Sequence, residues 1–170
     1  MFGLTSIGVV HTAISLVALV TGVWALARDR EISPRTGLGQ TYLWTTIFTC
    51  LTGFFIFQHG GFGKPHALGI ITLLVLALAT VAGRTTLLGR SSRYVETISY
   101  SLTLFFHFVP GLTETFTRLP AGSPVFSSPD DPGLQKVVGV FFLAFLVIAT
   151  LQVRRLRAAS GNASVLGKLA

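Results

Sequence analysis

Residues 69–83 read GIITLLVLALATVAG. No charge interrupts them, and Thr72 and Thr80 are the only polar side chains. A bilayer hydrocarbon core of about 30 Å is crossed by about 20 apolar residues in a helix. Extended to its flanks, the run covers residues 65–88 and predicts a membrane-spanning helix. The stretch just before it, FQHGGFGKPHA at residues 57–67, separates this span from another apolar run. Gly60, Gly61 and Gly63 allow a tight reversal, and Pro65 suits the first turn of the helix that follows.

The rest of the chain has the same character. Of its 170 residues 51% are hydrophobic and 11% charged, with mean hydropathy +0.70. A soluble domain carries roughly 25% charged residues, so this chain cannot cover itself with polar surface and is expected in a lipid bilayer. Five spans are predicted, at residues 2–27, 39–57, 65–88, 93–109 and 132–153. The fold class expected is an all-α integral membrane bundle over residues 1–153. A proline-rich outer loop at about 113–131 precedes span five, and a basic cytoplasmic tail, 154–170, ends the chain. The first run lacks a basic leader and reads as a retained helix. Cys50 is the single cysteine and reads as a packing residue.

The net charge of +7 does not imply nucleic acid, because the basic residues sit at the ends of apolar runs. Arg28, Arg30, Arg35, Arg84, Arg90, Arg93, Arg154, Arg155, Arg157 and Lys168 fall on one side of the five-span map. Lys64, Arg118 and Lys136 fall on the other. Excess Lys and Arg mark the cytoplasmic side, so the expected orientation is N-terminus outside and C-terminus in the cytoplasm. Trp24, Trp44 and Tyr94 then lie near the cytoplasmic interface, where amphipathic rings are favoured. Ser91 or Ser92 is the expected cap of span four, and Asp131 with Pro132 the expected start of span five. Glu96 reads as a first-turn acid favoured by the helix dipole.

This topology puts all four histidines toward the outer side: His11 in span one, His59 after span two, His66 opening span three and His107 late in span four. Polar side chains within a span are costly and suggest function, and imidazole is a good ligand for haem iron, zinc, copper and non-haem iron. His11 and His107 are the expected pair for haem b. A transition-metal site of zinc, copper or iron would recruit His11, His59, His66 and His107. Glu114, seven residues after His107, is a further candidate ligand or proton carrier, or else a partner of Arg118. The competing readings are interfacial histidines for His59 and His66, and hydrogen-bonded core histidines for His11 and His107. The threonines of span two read mainly as packing. The glycine turn does not match a nucleotide loop, since no strand precedes it. No nucleophile with a matched base is evident, so hydrolysis is not expected.

His11, the run Gly39-Gln40-Thr41-Tyr42 and His59-Gly60-Gly61 resemble a group of small bacterial multi-pass membrane proteins of unknown function. The resemblance covers about half the chain and implies no activity. A looser similarity is to membrane b-type cytochromes, which hold haem between helices with paired histidines. The leading expectation is therefore a five-helix bacterial inner-membrane protein with a haem or metal site in its outer half, accepting electrons from a quinol. The alternative is a non-redox accessory subunit packed against a larger membrane complex. A transporter or lipid-binding protein is the third class.

Overall fold

A computed structural model of the chain describes residues 5–56 and 61–169, with side chains to residue 160. It is all-α and 80% helical, with no strand among the described residues. The helices are α1 (Ser6–Asp29), α2 (Gly37–Gly53), α3 (Lys64–Arg84), α4 (Ser92–Arg118) and α5 (Pro132–Leu169). A single 3-10 turn, Gly89–Ser91, leads into α4.

Local chemistry fixes the helix ends. Thr5 caps α1 by accepting from the Gly8 N–H at 3.1 Å, and Thr36 caps α2 by accepting from the Gly39 N–H at 3.1 Å. Gly39 has a second duty. A Cβ there would lie 1.8 Å from the Ser33 carbonyl oxygen, so only glycine lets the α1–α2 loop close. Asp131 accepts from the Gly133 N–H at 2.8 Å, as expected for the start of α5. Ser91 precedes α4 but makes no side-chain capping bond.

Several boundaries differ from the sequence reading: α5 runs on to Leu169 through the expected tail rather than ending near residue 153, and α3 stops at Arg84 rather than near 88. α2 ends at Gly53 rather than near residue 57. α4 runs through Pro110 to Arg118, so the outer loop starts at Leu119 instead of near 113. A proline removes one backbone donor from a helix. The remaining backbone groups still need partners, and continuing the helix supplies them.

α1 pairs with α2 and α3 with α4; α2 touches α3, α1 touches α4, and α5 packs on α4. α4 is thus the hub. The buried core joins Ala18 and Ala25 of α1, Tyr42 of α2, Leu76 and Ala79 of α3, and Tyr100 and Leu104 of α4. Small residues allow the close approach: a Cβ on Gly22 would meet both Leu104 and the Tyr42 ring at 2.8 Å. The outer loop folds back on α4, with the Phe126 N–H donating to the Phe116 carbonyl at 3.0 Å and their rings edge to face at 5.8 Å.

Three helices are long and apolar enough to cross a membrane: Ser6–Asp29, Lys64–Arg84 and Pro132–Ser160. Their outer faces are bare. Val20, Leu74, Leu78, Leu143 and Val147 are all exposed. Soluble monomers rarely show apolar patches larger than a few hundred Å², so lipid is the environment these faces suit.

Candidate functional site

Polar side chains line the seams between helices, and several bond across them. Tyr42 Oη meets Thr103 Oγ1 at 2.8 Å, Thr80 Oγ1 meets Tyr100 Oη at 3.2 Å, and Ser101 Oγ donates to Gln152 Oε1 at 3.0 Å. Each pair ties two helices together.

His11 and His107 belong to this set. His11 Nδ1 lies 3.1 Å from Thr52 Oγ1, and His107 Nε2 lies 3.0 Å from Thr46 Oγ1. Both are therefore brought to α2, at threonines six residues apart, or about 9 Å along the helix. Thr52 Oγ1 also lies 2.7 Å from the Phe48 carbonyl; when its hydroxyl donates there it accepts from His11 Nδ1–H, which leaves Nε2 as the basic nitrogen, a form suited to metal ligation. His107 does not match it. A two-histidine haem site asks for two Nε2 atoms facing across a gap, and His107 commits its Nε2 to Thr46. The pair expected to hold haem does not fit that group in this arrangement.

His59 lies outside the described residues. His66 is buried in the first turn of α3, where its Nδ1 accepts from the Gly63 N–H at 3.3 Å and its ring lies tilted against Phe62 at 5.4 Å. That is the reciprocal bond of a capping box. Glu114 pairs with Arg118 one turn on. Among the described residues no three His, Cys, Asp or Glu side chains converge as a metal site. Cys50 is buried and unpaired to another cysteine.

The most concentrated charge lies at the other end of the bundle, where the sequence reading saw only a first-turn acid. Glu96 is 2% exposed. Its Oε1 accepts from Arg35 at 2.9 Å and its Oε2 from Arg93 at 2.9 Å. Arg93 also reaches Glu31 at 2.6 Å, and Arg35 donates to the Gly83 carbonyl at 3.1 Å. The carboxylate sits flat on Gly83, where a Cβ would lie 2.2 Å from Oε1. One acid thereby fastens the α1–α2 loop, the end of α3 and the start of α4. Nothing in sequence spacing pairs Arg35 with Glu96; the one available sign was an acid set in from the helix start on a buried face.

The open feature is a groove of about 660 Å³ between α1, α4 and α5. Phe105, Phe108, Phe141 and Phe145 line its apolar length, and Arg30 and Arg155 stand at one end with Gln152. Gln152 Nε2 donates to the Arg30 carbonyl at 3.1 Å, and Arg155 Nη1 to the Asp29 carbonyl at 2.8 Å. These two bonds hold α5 to the end of α1.

Fold and site together define an all-helical protein with lipid-suited faces, polar side chains bonded across several helix seams and an apolar groove. No protein-family model, curated protein or solved structure matches the chain.

Proposed function

We propose that this chain is a five-span inner-membrane protein, N-terminus outside and C-terminus in the cytoplasm, and that it acts as a non-redox accessory or binding unit. The supporting observation is the state of the histidines. His107 bonds Thr46, His11 bonds Thr52 and His66 bonds the Gly63 N–H, which is what interhelical fastening and helix capping require. Interhelical hydrogen bonds of this kind contribute about 0.6 kcal/mol each in membrane proteins. The groove is the surface left for a ligand or partner. α2, with 17 residues, is short for a span at about 25 Å, and α4, with 27, is long at about 40 Å; both are shielded by the more apolar helices.

A second reading keeps one specific support. His11 Nε2 is not engaged by Thr52, so His11 remains available as a single ligand for haem iron or another transition metal. The two are separated by an absorption spectrum of the purified protein before and after dithionite, with elemental analysis. The accessory reading expects no Soret band and no stoichiometric metal. A Soret band that shifts on reduction, or one metal per chain that His11→Ala removes, overturns it.

A further inference from the structure

We infer that the groove between α1, α4 and α5 holds one anionic phospholipid, with an acyl chain along the phenylalanines and the phosphate at Arg30 and Arg155. The inference rests on the membrane reading above and adds the chemistry of the occupant. Three observations carry it.

The first is shape. From Phe141 to Arg155 α5 advances fourteen residues, or about 21 Å, which exceeds the roughly 15 Å of one leaflet of a 30 Å core. Phe105, Phe108, Phe141 and Phe145 make the groove apolar over that length, which suits an extended hydrocarbon chain.

The second is charge. Every acidic side chain is already engaged. Asp29 pairs with Arg28, Glu31 and Glu96 with Arg93, Glu114 with Arg118, and Asp130 with Lys64, while Asp131 caps α5. Arg30, Arg154, Arg155 and Arg157 have no acidic partner among the described residues, and all four are exposed. Of these, Arg30 and Arg155 line one end of the groove, where their uncompensated positive charge complements an anionic headgroup.

The third is donor geometry. Arg155 uses one Nη on the Asp29 carbonyl, which fixes its position while most of its five N–H donors stay available. Arg30 is held by its own carbonyl bond to Gln152. The Arg155 side chain and the Arg30 backbone are thus fixed at the mouth of the groove, at the end where the orientation places the anionic cytoplasmic leaflet.

The test uses Trp24, exposed on α1 beside Val23 and Ala27, which also line the groove. Trp44→Phe makes it the sole tryptophan. The full-length protein is reconstituted in vesicles of equal parts phosphatidylglycerol and phosphatidylcholine, with one or the other brominated on its chains. Brominated phosphatidylglycerol is expected to quench Trp24 at least about twofold more than brominated phosphatidylcholine, by the preference of basic sites for anionic lipid. Arg30→Gln with Arg155→Gln should equalise the two, and Arg30→Lys should not. Equal quenching in the Trp44→Phe protein overturns the proposal, and so does a preference that survives both glutamines. If the double variant does not retain its helical circular dichroism, Arg30→Gln alone serves in its place. A Soret band would overturn the accessory reading without touching lipid preference, so the two failures are distinguishable.

Discussion

A carboxylate with almost no solvent contact must be held by protein donors, because losing water costs it several kcal/mol. Glu96 meets that condition with two arginines whose own side chains stay 55% and 42% exposed. Their solvation screens the pairs, so the cluster is worth less than a fully buried one. Glu96→Ala is expected to destabilise the protein by about 1–3 kcal/mol. For a chain of this size that corresponds to roughly 2–4 °C per kcal/mol in Tm, readable by thermal unfolding in mild detergent. Gly83→Ala drives a Cβ into the same carboxylate and should cost a similar amount. In the Glu96→Ala background Gly83→Ala should cost far less, because the clash is gone; a strictly additive cycle refutes the packing described. Asp131 offers a separate test outside the membrane. The Gly133 N–H, with the Ser127 and Leu134 groups, holds its carboxyl below the ordinary value of 3.8. A depressed folded-state value means the cap is fully effective above the ordinary carboxylate range and is lost as pH falls through the lowered one. Hydrogen exchange at the Gly133 amide should therefore quicken, relative to its intrinsic rate, as the medium is acidified through that range. Asp131→Asn should abolish the pH dependence while keeping an acceptor.

At the level of helices, α2 organises the bundle through small and hydroxylated residues rather than bulk. Gly22 lets α1 approach Tyr42 and Leu104, and Gly53 lets the His11 ring rest 3.2 Å from where a Cβ would stand. Gly22→Val should overpack this junction and cost about 1–3 kcal/mol, lowering Tm. Thr46→Val, which removes the partner of His107, should cost only about 0.6 kcal/mol if the bond is ordinary interhelical glue. A much larger loss would mean that the His107–Thr46 pair supports something beyond packing. These helices were largely legible in the sequence. Charge-free runs and terminal signals such as Asp131-Pro132 located α1, α3 and the start of α5 within a few residues, whereas α5 runs on to Leu169 through the expected tail. The end of α4 was not legible, because Pro110 reads as a break although the helix passes through it. Nor was the partner of each polar residue. Thr46, Thr49 and Thr52 look alike along α2, and only the packing of α1 and α4 decides which one meets a histidine. The site expectation suffered most from this, since four histidines in the outer half of a map need not point at one another. Glu96 was misread for the same reason: its partners are sixty-one residues away for Arg35 and three for Arg93.

The whole molecule stands or falls on how many times it crosses the bilayer. Three helices carry the apolar signal outright, while α2 and α4 carry polar residues that face the core. If all five cross, the arginines after α1, between α3 and α4, and after α5 share one side, and the loop 119–131 lies on the other. If α2 or α4 fails to cross, that separation breaks and the Arg30–Arg155 end of the groove need no longer face the anionic leaflet. Single cysteines in a Cys50→Ala background test the α4 crossing and the side on which each loop lies. Arg90→Cys, at the 3-10 turn before α4, should react with a membrane-impermeant maleimide only after the cells are permeabilised. Ser127→Cys, in the outer loop, should react in intact spheroplasts. The reverse pattern would mean either that the whole protein is inverted or that α2 does not cross. Labelling of both from one side would leave α4 uncrossed, although the hydrogen bonds and ion pairs that make α4 the hub would still hold it against its neighbours. The charge bias of ten basic residues against three favours the first outcome, because moving the arginine-rich loops outward would place them against the positive-inside rule at three separate connections.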